Sequence, residues 1–591
     1  MGQFIESQTG LWVGIFGTIF LFRKLFFLPS GKYLWADNFD AKLVYWMVNW
    51  GHHILFEAKD PLNFWNSNNF FPETNTLAYS ESILGIQIFF SPLRFMGISP
   101  LKALYLSFAG FLILGCVLTA YALRRLNFFS TAEIIIITFV AHFGLSFTNI
   151  LSHYQFFGFS VGPAFFLYLY LYLQDFKKSD MAMACALFFL GTTFSTYFAP
   201  MSVVVAVFIV IPSFIQRLRD FGVVGLIKKI GWGSLAIAFA FAIPLYLIQL
   251  RPYLSQFKLS ASQPITDYIQ FSAAPISIFV EHSINSFWYA PAGYSTFGEW
   301  EYAYFPGYLL LLGGFIYLAV VGAQAIKHLL LKILTKDLSL SQDFWQKHSF
   351  SIYWIIFFFM TWFLSFGPYI TSEAFPSYPY KALLGIIPGL VNVRAPGRFG
   401  MWLGIPLAIF TVLLLRKIKV SKYYHNLMVI LFMAVVIVES TPNHPIFQTS
   451  MDPNGIYTKL SQYISPGTPL IELPIFGKDN LDTLNNVMQQ LIGSTFHWAD
   501  MVVGYGAKAS PTYEELLYLD SILQKGSDIS WMLNFSSKMH ISHYLVKLTA
   551  YPEEIQTEWK NLAAANTSCV FMEENNYILF EVNADSCEKP K

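Results

Sequence analysis

ADNFDAKLVYWMVNWGHHILFEAKDPLNFWNSNNFFPETNTLAYSES, residues 36–82, is polar, aromatic and acidic where nearly everything around it is apolar. One apolar segment precedes it, and a long series of apolar segments follows. That pattern describes a polytopic membrane protein with a large first outer loop, 29–100. A loop so rich in aromatic, Asn and acidic residues is where such a protein does its work. Composition agrees. The 591 residues are 55% hydrophobic and 18% aromatic but only 12% charged, against about 25% charged in soluble proteins. Mean hydropathy is +0.48. A net charge of +1 supplies no field for nucleic acid, and no such partner is expected. Four cysteines are too few for a disulfide scaffold. Cys116 and Cys185 fall inside apolar runs and read as packing residues, while a Cys569–Cys587 pair and two free thiols both stay open.

Apolar runs long enough to cross a bilayer, about 20 residues each, lie near 10–28, 103–123, 131–149, 157–174, 181–199, 201–216, 232–250, 307–326, 350–369, 399–415 and 426–440. The first is not followed by a small-residue cleavage site and reads as a retained helix. The run Ile83 to Ile98, interrupted by Pro92 and Arg94, reads as a re-entrant or interfacial helix within the first loop. With about 11 spans and a cytoplasmic N-terminus, the basic residues of alternate connections sort to one side. They are Arg124 and Arg125; Lys177 and Lys178; Arg217, Arg219, Lys228 and Lys229; Lys327, Lys332, Lys336 and Lys347; and Arg416, Lys417, Lys419 and Lys422. Arg23 and Lys24 are the exception, at the outer end of the first span. They either snorkel or meet a lipid phosphate.

Domain 1–440 is therefore the transmembrane part, with its long first loop. From 441 to 591 the pattern becomes that of a small extracytoplasmic α/β domain. GIYTKLSQYI reads as a helix, PLIELPIF as a strand, and SPTYEELLYLDSILQK as a helix capped by Ser510 with Glu514 in support. HYLVKL reads as a strand, YPEEIQTEWKNLAAA as a helix, and CVFMEENNYILFEV as a hairpin turning at Glu574 to Asn576.

Soluble catalytic motifs are absent: no Gly-rich phosphate loop, no HExxH, no GxSxG, no paired Cys spacing. His52 and His53, adjacent in sequence, point about 100° apart on a helix and read as interfacial residues rather than metal ligands. Charged residues on the outer side are then the candidates. Asp40 opens the run AKLVYWMVNW, where a helix N-terminus favours a carboxylate, while Asp37 lies before that run. Tyr45, Trp46 and Trp50 suit the headgroup level. A carboxylate there can act as general base on a hydroxyl if a cation steadies a departing phosphate. Arg394, in NVRAPGRFGMWL, offers the planar fork that suits phosphate; its alternative is a loop anchor. Arg398, Lys42, His153, Glu81 and Glu301 complete the candidate set for holding substrate and lipid phosphate.

One span, a long loop opening on an acid, many further spans and an outer C-terminal domain together resemble the GT-C superfamily of integral-membrane glycosyltransferases. More narrowly, the chain resembles the bacterial YfhO-like polytopic glycosyltransferase-type proteins. The resemblance rests on Asp40 with Trp46 and Trp50, DPLNF at 60–64, NFFPETNTLAYSE at 69–81 and LTAYALRRL at 118–126. RAPGRF at 394–399, IELPIF at 471–476, STFHW at 494–498 and VVGYGAKASPTYEEL at 502–516 complete it. It implies Asp40 as catalytic base with Asp37 as its rival, a polyprenyl-phosphate sugar as donor, and a glycan, lipid or protein hydroxyl as acceptor. Transfer would proceed with inversion, at a site between the first loop and the RAPGRF loop facing out of a bacterial inner membrane. Relatives often carry a second acid in the second outer loop; NILSHYQFF at 149–157 has His153 and no carboxylate. No cofactor is indicated, and a divalent cation stays open. A lipid or glycan transporter, or a non-catalytic assembly protein, are the rival readings.

Overall fold

The structure, a computed structural model, describes residues 8–25, 28, 32–257, 265–280, 304–335, 339–368, 378–387, 389–452, 455–477, 481–506, 510–565 and 568–582. They fall into two compact units. One comprises Met1–Leu28, Tyr105–Gln249 and Ala261–Pro445, the other Pro29–Leu104, Leu250–Ser260 and Ile446–Lys591. The first loop thus shares a unit with the C-terminal region.

The first unit is a bundle of apolar helices. Among the described residues, seven helices are long and apolar enough to cross a membrane: Pro100–Arg125, Thr131–Ser152, Tyr154–Asp175, Phe198–Gln256, Tyr308–Leu331, His348–Ser365 and Pro396–Leu415. The expected count of about eleven is not reproduced, for two reasons. Thr9–Phe22, Lys178–Phe194 and Tyr423–Glu439 are apolar but shorter. The expected spans 201–216 and 232–250 lie in one 59-residue run broken at Gly222 and Gly231, whose φ of 63° leaves the helical region. Only glycine enters that region without cost.

Close approach is built on small residues. GLWVG at 10–14 carries the small-xxx-small spacing that lets membrane helices touch. A Cβ on Gly10 would lie 2.6 Å from the Cys116 carbonyl oxygen, and one on Gly14 would lie 2.8 Å from Ile113 Cα. Deeper in the bundle the buried Trp402 ring is surrounded by Phe159, Phe166, Phe198 and Phe357, with centroids 5.2–6.4 Å away. The helix ends that carry sorted basic residues pair with one another. Arg125 Nη2 donates to Asp180 Oδ2 at 2.9 Å, Arg416 Nε to Glu133 Oε1 at 2.6 Å, and Arg217 Nε to Leu173 O at 3.0 Å.

In the second unit, β1 (Tyr33–Trp35) pairs antiparallel with β2 (Ile446–Gln448). A five-stranded sheet follows from β3 (Pro469–Leu473), β4 (Asp500–Met501), β5 (His543–Lys547), β6 (Ser568–Glu574) and β7 (Tyr577–Val582), in the order β4-β3-β5-β7-β6. β3 is parallel to β4 and β5, while β7 is antiparallel to β5 and β6. The first loop enters this fold through its backbone. Phe71 N donates to Met501 O at 3.0 Å, and Met501 N to Asn68 O at 3.0 Å. Phe70 is fully buried between Gly504, where a Cβ would meet its ring at 2.7 Å, and Tyr513. Cys569 is disulfide-bonded, Cys116 and Cys185 are free thiols, and Cys587 lies outside the described residues.

Candidate active site

Asp37 and Asp40 stand at the start of helix Asp40–His52. Asp37 Oδ2 accepts from Phe39 N at 2.8 Å and from Ala41 N at 3.0 Å. It therefore meets the orphan N–H groups of the first turn. This corrects the expectation that only Asp40 enjoys the field of the helix N-terminus: Asp37, three residues earlier, reaches back to it. Ala36, just before Asp37, has φ 66°, a conformation that costs a non-glycine residue about 1–3 kcal/mol and clusters at functional sites. Lys42 follows on the same helix and is buried. Its Nζ donates to Asn485 Oδ1, and Asn38 Nδ2 reaches the same oxygen at 3.5 Å. Burial pushes the Lys42 ammonium down to about 8, and the charge of Asp37 works against that shift. Asp37, Asn38, Lys42 and Asn485 thus form one polar cluster beside Asp40, in which Asn485 carried no motif in the sequence.

The aromatic residues of this helix do not sit at a headgroup surface. Trp46 and Trp50 are buried; Trp46 Nε1 donates to Asn68 Oδ1 at 3.2 Å and Trp50 Nε1 to Phe64 O at 2.9 Å. They hold the loop together. His52 and His53 face different neighbours, His52 lying against Phe56, Phe90 and Phe95, yet they share one acid. The helix widens into a π-turn at His53–Glu57, and both rings reach Glu57, at 3.7 and 2.8 Å. His53 also stacks on Trp498 of STFHW at 4.2 Å. Glu81 is buried, and Ile83 beyond it holds φ 47°, an outlier for a β-branched residue. Glu73, of NFFPETN, accepts from Tyr79 Oη and from Ser510 Oγ, the latter at 2.5 Å, while Ser510 caps helix Pro511–Leu523. Much of what carried the family resemblance thus builds the joint between the first loop and the C-terminal region.

The helical unit holds the two candidate arginines. RAPGRF is a loop and 3₁₀ turn, Pro396–Trp402, that leads into helix Gly404–Leu415. Arg398 is buried with its guanidinium 4.9 Å over the Phe156 ring and 5.1 Å over Tyr197. Two aromatic faces fix the fork and offset part of its desolvation. His153, the break between helical stretches Thr131–Ser152 and Tyr154–Asp175, lies edge-on to Phe156 at 6.2 Å. His153 and Arg398, far apart in sequence, are thereby neighbours through one ring. Arg394 is exposed, 4.9 Å over the Phe271 ring. The roles expected of the two arginines are therefore unequal: Arg398 is embedded and Arg394 peripheral. Phe156 and Tyr197 are further members of this cluster, and Phe156 was legible only as part of NILSHYQFF. Glu301 lies outside the described residues. Among the described residues, no group of three His, Cys, Asp or Glu is placed to hold a metal ion.

No protein-family model matches the chain, and no curated protein matches it in sequence. Solved structures do. The arabinofuranosyltransferase AftD from Mycobacteria superposes at a TM-score of 0.51 with 12% identity, over 98% of this chain and 40% of that one. The chain thus spans about two fifths of that enzyme's length. The oligosaccharyltransferase AglB from Archaeoglobus fulgidus, solved with an inhibitory peptide and a dolichol-phosphate, matches at 0.41 with 11% identity, over 98% of this chain and 74% of that one. That value is too low to establish a common topology. At 0.51 the likeness is one of fold alone: the chain shares the polytopic helical architecture of AftD and carries a small C-terminal α/β region.

Proposed function

We propose that this protein moves a sugar from a lipid-phosphate carrier to an acceptor hydroxyl on the outer side of a bacterial inner membrane. The observation that carries this reading is the fold likeness to AftD across 98% of the chain. The N-terminus is then cytoplasmic, and the C-terminal domain periplasmic or extracellular. The donor is a polyprenyl-phosphate sugar, and the acceptor a glycan, lipid or protein hydroxyl. Asp37 is committed to holding the helix start, so the proton-accepting role goes to Asp40. Asp40 takes the acceptor proton, the hydroxyl oxygen attacks the anomeric carbon, and the carbon–oxygen bond to phosphate breaks. A single displacement inverts that carbon. The leaving lipid phosphate carries away the bond's electron pair, and the embedded Arg398 steadies its charge, with Arg394 as the outer contact. Lys42, His153 and Glu81 serve binding, and Glu301 is assigned with them.

The test is transfer from a labelled lipid-linked sugar by the purified protein, with a thermal melt to check folding. Asp40→Asn should keep the fold and lose about 10²–10⁴-fold in rate. Arg398→Lys keeps the charge but not the fork, and should be impaired nearly as much as Arg398→Ala. Near-normal transfer in both Asp40→Asn and Asp37→Asn would remove the general base from this loop. A second reading, a lipid or glycan transporter, is favoured by the burial of Arg398 within the helical unit, since buried cations in membrane helices mark substrate paths. Translocation of a labelled lipid in proteoliposomes, lost in Arg398→Ala while no transfer is found, would decide for it.

A further inference from the structure

We propose that a groove on the helical unit binds one acyl chain of an anionic phospholipid, with the lipid's phosphate at Arg23. The groove has a volume of about 470 Å³ and is formed by helices Thr9–Phe22, Thr131–Phe143 and Lys422–Glu439. Trp12, Phe16, Phe20, Phe139, Met433 and Ile437 line it, so its wall is almost wholly carbon. It follows the first helix from Thr9 to Phe20, which is ~16 Å at the helical rise of about 1.5 Å per residue. One leaflet of a bilayer is about as deep, half of a hydrocarbon core of roughly 30 Å. The slot therefore has the length and chemistry of one fatty-acyl chain.

The mouth supplies the charge. At the Phe20 end the Arg23 guanidinium lies 5.1 Å over the Phe20 ring. Its Nη1 donates to Phe20 O at 2.8 Å and its Nη2 to Pro442 O at 2.7 Å. These bonds use two of the five guanidinium donors and hold the fork at the mouth. Lys24 is tethered beside it, to Asn443 Oδ1 and, at 3.0 Å, to His444 O. Two fixed cations at the end of a hydrocarbon slot match a phosphate ester on a hydrocarbon chain. At the other end Arg124 Nη2 donates to Thr9 Oγ1 at 3.1 Å, so that cation is turned onto the protein. The groove shares no lining residue with the Arg398 cluster, and the assignment is therefore to a resident phospholipid, not to the sugar donor. Such a lipid fills the seam between the first helix and Lys422–Glu439, and it does not depend on the transfer reaction.

Trp12 is the reporter. Delipidated protein is titrated with brominated-acyl phosphatidylglycerol or brominated-acyl phosphatidylcholine, and Trp12 quenching is taken as the difference between the natural protein and Trp12→Phe. Phosphatidylglycerol should quench at about tenfold lower concentration, because the choline ammonium of phosphatidylcholine cancels the net negative charge that the two cations attract. The double variant Arg23→Gln, Lys24→Gln should lose that preference. Ile437→Phe, which fills the slot while leaving both cations, should abolish saturable quenching. Equal quenching by the two lipids in the natural protein, or saturable quenching that survives Ile437→Phe, would mean ordinary annular lipid and overturn the proposal. So would tighter quenching by a brominated polyprenyl phosphate, which would reassign the groove to the carrier.

Discussion

At the scale of single residues, burial sets chemistry that a sequence does not display. Glu472 stands in IELPIF on β3, and its side chain is fully enclosed. Tyr457 Oη donates to its Oε1 at 2.7 Å, yet burial pushes the carboxyl up to about 7. An unfolded Glu titrates near 4.3, so between those values the folded protein keeps a proton that the unfolded chain releases. The stability from this group is complete below about pH 4.3 and is lost as pH rises through about 7. The difference amounts to about 4 kcal/mol, or several hundredfold in a local opening equilibrium. His497 is pushed down to about 3 by burial and slopes the opposite way, so only a comparison of variants isolates Glu472. Hydrogen exchange of β3 amides, corrected for intrinsic rates, should show this pH dependence flattened in Glu472→Gln. A slope unchanged in that variant would place the titration elsewhere. The arginines teach the same lesson: RAPGRF offers two equivalent-looking guanidinium groups, and only packing against Phe156 and Tyr197 distinguishes Arg398.

At the scale of elements, the start of helix Asp40–His52 is the informative case. The apolar–aromatic run placed that helix correctly, and Asp40 is indeed its first residue. What the run did not disclose is that the chain turns at Ala36 and brings the Asp37 carboxylate onto the first N–H groups. Asp37→Ala should loosen the helix start by about 0.5–2 kcal/mol, while Asp37→Asn, which keeps an oxygen acceptor, should cost little. Exchange protection of amides 41–44 measures this; equal protection in Asp37→Ala and the natural protein would deny the cap. In the C-terminal region Ser510 caps its helix as the spacing indicated, and the hairpin of β6 and β7 turns at Asn575 and Asn576. Helices Leu481–His497 and Ser530–Lys538 were not legible. Their Asn, Thr and Ser residues, poor helix formers, dilute the apolar period, and tertiary packing overrides the weak propensity.

At the scale of the whole molecule, the sorting of Lys and Arg makes a topological claim that labelling from one side of the membrane tests. Single cysteines at the exposed positions Leu62, Asn534 and Lys177, in a background without reactive thiols, can be probed with an impermeant thiol reagent. Leu62 and Asn534 should label in intact cells, and Lys177 only after permeabilisation. The reverse pattern would invert the map and remove the proposed function with it.

The sequence by itself determined the class and the helical segments, because spanning a bilayer demands long apolar runs and those are local. It also determined most elements of the C-terminal region, through period and capping, which are local as well. Tertiary structure decided the rest. The first loop belongs with the C-terminal sheet, because Asn68, Phe70 and Phe71 pair with Met501 and Val503 across more than 400 positions of chain. Trp46 and Trp50 serve a core rather than a membrane surface, and Lys42 meets Asn485. Such pairings depend on which distant surfaces bury one another, and no local pattern encodes that choice.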